Sequence, residues 1–255
     1  MHCGCRGNCF GDLWHARGNR LAHLGEEMNM PIILAFGHKS RSGKDEACRT
    51  IIQHRHGKPI MEDDPLILWN IKHYSFARAL KQEVTAAAYA CGGMERLFVR
   101  PQEYMQENGN FLELPEWVIM DDNPPMDDQD SPLGKQRELL RWWGTEFRRG
   151  PNPDYWVKKV EAQIQKDQPD VALISDLRFE NEMRWTKKYG DCIRIDRLGL
   201  PASTHESEVA LARVPDDYWS AIIKNTGSLE DFRNEVLFVF DSLMSATQYQ
   251  EQKSV

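Results

Sequence analysis

The sequence lacks the features of several large protein classes. No apolar run approaches 18 residues, so we expect no membrane span. The first 29 residues contain no apolar core of a secretory signal. Six cysteines in 255 residues do not make a disulfide scaffold. A formal net charge of −7 argues against a protein that coats nucleic acid, and there are no internal repeats.

The length and composition suit an α/β protein of ordinary domain size. A chain of 255 residues that is 41% hydrophobic and 10% aromatic suits one domain with insertions or two small ones. Residues 1–29 show no periodicity, and we interpret them as an N-terminal extension that is either disordered or not native, with translation starting at Met28 or Met30. Residues 30–250 then form the folded domain. The segment 101–133, rich in proline and acidic residues, is predicted to be a solvated insertion or mobile loop.

The most informative stretch is Gly37–Asp45, which reads G-H-K-S-R-S-G-K-D directly after the apolar run 31–36. We interpret it as a strand followed by GxxxxGK, the phosphate-binding-loop pattern. Such a loop wraps a polyphosphate with main-chain N–H groups at the positive end of a helix, and Lys44 would neutralise the β- and γ-phosphates. Asp45 stands where Ser or Thr usually binds Mg²⁺, and a carboxylate also holds this ion. The alternative is a glycine-rich turn with an incidental lysine.

Strand and helix signals alternate along the rest of the chain. We predict strands at about 31–36, 71–76, 171–175, 192–195 and 221–224, and helices at about 43–55, 77–91, 136–149, 155–166, from 177 to 189, and 228–244. This alternation predicts an α/β fold: a parallel sheet with helices on both faces. Ligands are expected at the C-terminal ends of its strands.

The strand 171–175 is wholly apolar and ends at Asp176, with Arg178 two residues further on. A carboxylate at such a strand end holds Mg²⁺ or a substrate hydroxyl, and the planar guanidinium suits contact with a transferring phosphoryl group. The alternative is a helix-capping aspartate with a surface arginine. Glu182 would hold Arg178, bind the substrate, or be a solvated helix charge.

A second group of candidate residues lies in the predicted helix 136–149. Arg137, Arg141 and Arg148 recur at spacings of four and seven, so on an α-helix they share one face and form a basic stripe. This stripe would clamp a second phosphate. Gly144 permits close approach, and Thr145 offers a hydrogen bond to a base or a phosphate.

Aromatic and basic residues nearby extend this group. Trp156 is a candidate for stacking on a base, and Arg78 and Lys81 for contact with the acceptor's phosphate. The alternative is that Trp142, Trp143 and Trp156 are core residues and that the basic side chains are solvated.

Taken together, these motifs resemble one family. A-F-G-H-K-S-R-S-G-K-D, S-F-A-x-x-L-K, R-x-L-L-x-W-W-G-T-E-x-R-R, D-Y-W, S-D-L-R-F-x-N-E, H-x-S-E and N-x-G-S-L-E occur in this order over about residues 31–240. In this order they resemble the deoxynucleoside monophosphate kinases of tailed bacteriophages, which belong to the P-loop nucleoside monophosphate kinases. The pair W-W-G-T-E-x-R-R and S-D-x-R-F-x-N-E carries most of the specificity beyond the phosphate loop.

The resemblance implies a P-loop NTPase fold with three α/β/α layers and a lid. It implies transfer of the γ-phosphate of ATP to a deoxynucleoside 5′-monophosphate, with Mg²⁺. The implied catalytic residues are Lys44, Asp176 and Arg178, and the implied Mg²⁺ ligands are Asp45 and Asp176. The implied ATP-binding residues are Gly37, Lys39, Ser40, Arg41, Ser42, Gly43, Lys44, Asp45, Glu46 and Asn225. The implied acceptor residues are Arg137, Gly144, Thr145, Arg148, Trp156, Asp176, Arg178 and Glu182, to which our own interpretation adds Arg78, Lys81 and Arg141.

Two other functions fit parts of the pattern. Animal phosphomevalonate kinases share the phosphate loop and an S-D-x-R-like strand end, which would make the protein a kinase for another small molecule. A P-loop ATPase acting as a switch or assembly factor would need no acceptor. The expected partner is a deoxynucleoside monophosphate, with no nucleic-acid polymer and no membrane. The resemblance is compatible with a homodimer and implies a cytoplasmic location, the host cytoplasm for a phage-encoded protein.

Overall fold

A computed structural model describes residues 30–56, 69–90, 137–200 and 210–253. The predicted N-terminal extension 1–29 and the predicted insertion 101–133 lie outside the described residues. The chain divides into two compact units: the first comprises residues up to Tyr74 together with those from Ile164 onwards, and the second is Ser75–Gln163.

The first unit contains a five-stranded parallel sheet. Its strands are β1 (Ile32–Gly37), β2 (Ile71–Tyr74), β3 (Val171–Leu177), β4 (Gly190–Asp196) and β5 (Ala221–Lys224). They lie in the order β2-β3-β1-β4-β5, and every neighbouring pair is parallel. The predicted α/β class with a parallel sheet is therefore confirmed. The central strands are nearly continuous apolar runs, and all seven residues of β3 are buried, as expected for strands covered in a parallel sheet.

Helices of the first unit that the structure describes include α1 (Lys44–Arg55), α5 (Glu180–Tyr189) and α6 (Leu229–Lys253). Helix α6 buries Phe232, Val236, Phe240 and Met244, which recur every four residues and so form one stripe. This stripe belongs to the same core cluster as residues of α1 and of the strands. Helix α5 contacts β1 and β4 instead.

The second unit is helical. It contains α2 (Phe76–Ala90), α3 (Arg137–Trp142), a π-helix (Trp143–Arg149) and most of α4 (Tyr155–Asp167). Ser75 caps α2, because its hydroxyl accepts a hydrogen bond from the N–H of Arg78 at 3.2 Å.

The predicted elements are confirmed within a few residues, with two exceptions. Helix α6 was predicted to end at about residue 244, and it continues to Lys253. The prediction of one continuous α-helix over 136–149 is wrong from Trp143 onwards. There the backbone widens into a π-helix, closed by the N–H of Gly150 donating to the carbonyl of Thr145 at 2.8 Å. Two short 3₁₀ turns, Ala210–Arg213 and Asp216–Tyr218, were not predicted.

Candidate functional site

The carboxyl ends of β3, β1 and β4 lie side by side at one edge of the sheet. Gly37, the last residue of β1, pairs with Leu177 of β3 and with Arg194 of β4. Asp176 and Asp196 therefore lie at the same edge of the sheet as the segment that follows β1, which we call the β1–α1 loop (residues 38–43). In open parallel sheets, ligands bind at this edge where neighbouring strands connect in opposite directions.

The β1–α1 loop departs from the spacing that we assigned to it. Five residues separate Gly37 from Gly43, whereas GxxxxGK allows four, so the interpretation of Gly37 as the first position was wrong. Counted back from Gly43, that position belongs to His38, whose φ is +88°. Gly37 serves packing instead, since an added Cβ would lie 2.8 Å from the ring of Trp219.

Lys44 turns back over the loop. Its buried ammonium contacts the carbonyl oxygens of Lys39 and His38, the latter at 3.3 Å, and the hydroxyl of Ser42 at 3.4 Å. A buried ammonium group needs such oxygen partners. The first residue of α1 thus holds its positive charge against the main chain of the loop, at the positive end of the helix dipole.

Two side chains donate hydrogen bonds to two further carbonyl groups of the loop. The amide of Asn225 donates to the carbonyl of Ser42 at 2.8 Å, and Arg197 donates to the carbonyl of Arg41 at 3.3 Å. The N–H of a trans peptide points opposite to its C=O, so the N–H groups of Ser42 and Gly43 point away from these side chains. Asn225, which the resemblance places among the ATP-binding residues, acts here as a support for the loop.

Gly43 cannot be replaced without a change in the loop. Its φ is +116°, in the region that favours glycine, and an added Cβ would lie 2.9 Å from the amide nitrogen of Asn225 and 3.0 Å from Phe232. The conformation of this loop therefore requires glycine at position 43. Lys39, Ser40 and Arg41 are exposed along the loop, while the side chain of Ser42 is buried.

The charges of two carboxylates act on one buried thiol, that of Cys48. Burial raises the pKa of Cys48, and the charges of Asp45 and Asp176 raise this pKa further. Both carboxylates are therefore near enough for their charges to act on the Cys48 thiol, Asp45 in the first turn of α1 and Asp176 near the end of β3. Asp45 is exposed and Asp176 is 8% exposed. Mg²⁺ takes one or two carboxylates and completes its shell with phosphates and water, so Asp45 and Asp176 are the residues here that could hold this ion.

Some predicted site residues have structural partners. Glu46 accepts hydrogen bonds from Arg233 at 2.6 and 2.8 Å and from Arg49. Glu182 is only 1% exposed, so the alternative of a solvated helix charge is wrong. Its carboxylate accepts the N–H groups of Arg178 at 2.8 Å and Phe179 at 3.1 Å, which caps α5.

The second unit contains a buried carboxylate with several donors. Glu83 of α2 is 3% exposed. It accepts hydrogen bonds from the indole of Trp143 at 2.9 Å, from Nε of Arg148 at 2.5 Å and from the hydroxyl of Tyr155 at 2.5 Å, and the ammonium of Lys159 lies 3.6 Å away. Burial and the bond to Glu83 raise the pKa of Tyr155, whose hydroxyl remains a donor.

The π-helix changes the arrangement predicted for the arginines. Arg141 is exposed, whereas Arg148 is 7% exposed and bonded to Glu83, so these two residues do not share one solvent-facing stripe. A π-helix turns through fewer degrees per residue than an α-helix, so the spacing of seven from Arg141 to Arg148, which crosses the π-helix, no longer selects one face. Arg137 is the first residue of α3.

The tryptophans follow the alternative interpretation for the most part. Trp143 and Trp156 are buried, as expected for core residues, and Trp142 is half-buried. The indole of Trp156 donates to the carbonyl of Gly144 at 3.0 Å. Gly144 does permit a close approach, but to α2, because an added Cβ would lie 3.0 Å from Leu80.

The remaining candidates of the second unit are partly accessible. Thr145, Arg78 and Lys81 are half-buried. Arg78 and Lys81 lie one turn apart near the start of α2.

Sequence reasoning missed three polar residues. His38 and Asp196 lie 3.0 Å apart beside the loop, and Glu83 is the centre of the second unit. A correct count of the loop spacing would have singled out His38. The sequence gives only a weak indication that Glu83 is buried, which is its position among the apolar residues of α2.

The sequence matches no protein-family model and no curated protein. Among the described residues, no three His, Cys, Asp or Glu side chains form a group that could hold a metal ion by themselves. No helix within the described ranges is long and apolar enough to cross a membrane.

Proposed function

We propose that this protein is a P-loop kinase that transfers the γ-phosphoryl group of ATP to a deoxynucleoside 5′-monophosphate, yielding ADP and the diphosphate. The observation that carries the proposal is the geometry around Lys44. Its ammonium lies over the carbonyls of a tight loop at the carboxyl end of the central strand β1, in front of a helix N-terminus. A site of this kind binds anions with main-chain N–H groups and a positive charge.

ATP would occupy the β1–α1 loop. Gly43 and the buttressing bond from Asn225 support a loop conformation whose N–H groups are available to phosphate oxygens. Lys44 would exchange its contacts with loop carbonyls for the β- and γ-phosphates. That exchange keeps a buried ammonium partnered in both states.

Asp45 and Asp176 are the residues that would hold Mg²⁺. The charges of both act on Cys48, so both lie in its vicinity, and both offer hard oxygen ligands. When bound, this ion neutralises charge on the phosphates.

The protein's contribution to transfer would be positioning and neutralisation. Charge in phosphoryl transfer is spread over the equatorial oxygens, and Lys44 and Arg178 would stabilise it. The acceptor is a phosphate oxygen that is already ionised, so no strong general base is needed. The main-chain N–H of Arg178 is held by Glu182 at 2.8 Å, which fixes the backbone from which the guanidinium extends.

The family resemblance is the support for a nucleotide acceptor. It assigns acceptor contacts to residues of the second unit, among them Thr145 and Arg148. The π-helix Trp143–Arg149 coincides with W-G-T-E-F-R-R, which belongs to one of the two motifs that carry most of the specificity of this resemblance beyond the phosphate loop. Segments of π-helix are uncommon and are frequent at functional sites.

The decisive experiment measures ADP release from ATP and Mg²⁺ with each deoxynucleoside monophosphate, with phosphomevalonate, and with no acceptor. Release that requires one or more deoxynucleoside monophosphates supports the proposal, and the diphosphate product should appear in equal amount. Release only with phosphomevalonate would show that phosphomevalonate, and not a deoxynucleoside monophosphate, is the acceptor. Slow release that is indifferent to every acceptor would identify an ATPase switch instead.

A further inference from the structure

The first position of the β1–α1 loop holds a histidine where backbone geometry favours glycine. His38 has a φ of +88°, a conformation that residues with a Cβ rarely adopt. Such a residue persists when surrounding contacts hold it, and it is frequent at ligand-binding sites. The identity of this side chain is therefore worth explaining, because glycine would fit the same backbone without strain.

The contact of His38 is with the end of the neighbouring strand. Its Nδ1 lies 3.0 Å from Oδ1 of Asp196, the last residue of β4. The other carboxylate oxygen of Asp196 is bonded to Arg194, from Nη2 at 3.0 Å and from Nε at 3.2 Å. Arg194 in turn bonds Asp216 at 2.6 Å. Asp196 is thus held in place, with one oxygen directed at the imidazole.

The approach of His38 and Asp196 is incomplete as a hydrogen bond. Both Nδ1 and Oδ1 are buried, and neither has a hydrogen-bond partner of acceptable geometry within the described part of the chain. A small reorientation of the ring would allow this bond to form, since the two atoms are already 3.0 Å apart. The pair is therefore arranged for a bond that the present state does not make.

Charges of both signs act on the pKa of His38, which lies below its ordinary value. Burial lowers the pKa of His38, the carboxylate of Asp196 raises it, and the positive charges of Arg194, Lys39 and Lys44 lower it. Asp196 and Arg194 face the ring from β4, and the two lysines from the loop and α1. A polyphosphate bound to the loop would bring several negative charges beside this ring and offset the lysines.

We propose that His38 is a positioning residue that takes up a proton from solvent when the β1–α1 loop binds a polyphosphate, and that the imidazolium then bonds Asp196. This inference rests on the proposed binding of nucleotide phosphate at the loop. The step adds one N–H bond to the ring and breaks none in the ligand. The imidazolium would fix the entrance of the loop against β4 while the phosphate is bound.

The test uses ADP as the probe and the full chain. Titration calorimetry in two buffers of different ionisation enthalpy gives the number of protons taken up per ADP bound. His38→Gln removes the titrating group and keeps a polar side chain of similar length. We expect the wild type to take up more protons than His38→Gln near pH 6.5. The affinity of the wild type should also tighten more, between pH 8 and pH 6, by up to about tenfold for each pKa unit gained.

A second measurement follows the imidazole directly. In NMR titrations of the wild type, the midpoint of the His38 ring signal should rise when ADP saturates the protein, and Asp196→Asn should reduce that rise. The rise itself is measured on the wild type, so this part of the test holds even where a variant fails to fold.

The outcomes separate the two proposals. Equal proton uptake by wild type and His38→Gln, or a His38 midpoint that ADP leaves unchanged, overturns the role of His38 and leaves nucleotide binding intact. An absence of ADP binding to the wild type overturns the proposed function and this inference with it.

Discussion

The guanidinium of Arg148 donates from Nε to the carboxylate of Glu83 at 2.5 Å, in the interior of the second unit. The π-helix carries Arg148, and α2 carries Glu83, so this pair joins two elements that are 65 residues apart in sequence. The guanidinium carbon of Arg148 also lies 4.6 Å from the ring of Phe147 and 4.7 Å from that of Tyr155. The arginine that sequence spacing assigned to an exposed stripe is thus a central structural residue of its unit.

Glu83→Gln should therefore destabilise the protein. The substitution removes the negative charge that Arg148 and Lys159 share, so neither cation has an anionic partner at this position. Breaking a buried ion pair costs about 3–5 kcal/mol. Urea unfolding followed by tryptophan fluorescence measures the loss. Glu146→Gln, at an exposed position of the π-helix, is the matched control and should change stability by less than about 0.5 kcal/mol. Equal stability of both variants would show that the pair contributes little.

Lys44→Ala should abolish turnover. The ammonium is the charge that the proposal assigns to the β- and γ-phosphates, and loss of one such stabilising group lowers kcat by about a hundredfold or more. The measurement is monophosphate-dependent ADP release, with Lys188→Ala of α5 as a control at an exposed lysine. A Lys44→Ala rate close to that of the wild type would be fatal to the kinase assignment.

Arg178→Ala should lower kcat more than it lowers the affinity for ATP. The reason is that the proposed contact of this guanidinium is with the phosphoryl group in transfer, where charge develops. Steady-state kinetics with both substrates varied separates the two parameters, and Arg184→Ala, exposed on α5, is the control. A variant with normal kcat and weakened ATP binding would reassign Arg178 to ground-state binding.

Gly43→Ala should damage the loop, whereas Gly199→Ala should not. Both glycines have positive φ, at +116° and +74°, so both substitutions carry a torsional cost of about 1–2 kcal/mol. Only at Gly43 does the new methyl also meet Asn225 and Phe232, while nothing lies within 4 Å of Gly199. We expect the ADP affinity to fall at least about tenfold in Gly43→Ala alone, which calorimetry would detect. Equal effects of the two substitutions would exclude crowding as the cause.

The stability of the fold should fall as the pH drops below about 6.5, in part through His38. The folded-state pKa of this ring lies below its ordinary value of 6.5, so between the two values the unfolded chain binds a proton that the fold does not. Stability then rises with pH in this range. Thermal unfolding at pH 5.5 and pH 7.5 should show a smaller difference for His38→Gln than for the wild type. An identical pH dependence would mean that the ring has the same pKa in both states.

The local elements of this protein could be predicted because their signals are local. The apolar run that forms β3 has no polar interruption before Ser175, and the last strand, Ala221–Lys224, has the predicted bounds. The turn at Gly43 and the helix that begins at Lys44 follow from residue types a few positions apart. The parallel order of strands follows from strand–helix alternation, which needs no knowledge of contacts.

The site was predicted less completely, because its geometry depends on distant partners. Three interpretations of Glu182 were left open: a partner of Arg178, a substrate ligand or a solvated charge. The structure shows it capping α5, where it accepts the main-chain N–H groups of Arg178 and Phe179. Trp156 was a candidate for stacking on a base, and its indole is instead bonded within the second unit. His38 was passed over because the loop was counted from Gly37.

By itself, the sequence determined which segments form strands and helices, and that a glycine and a lysine end a tight loop after the first strand. These properties depend on backbone torsions and on the spacing of apolar residues over one or two turns. The tertiary structure alone decided that Asn225 supports Ser42 from 183 residues away, that Asp196 meets His38, and that Glu83 neutralises Arg148. Such pairs follow from strand order and helix packing, in which a buried polar group takes the partner that the fold brings to it.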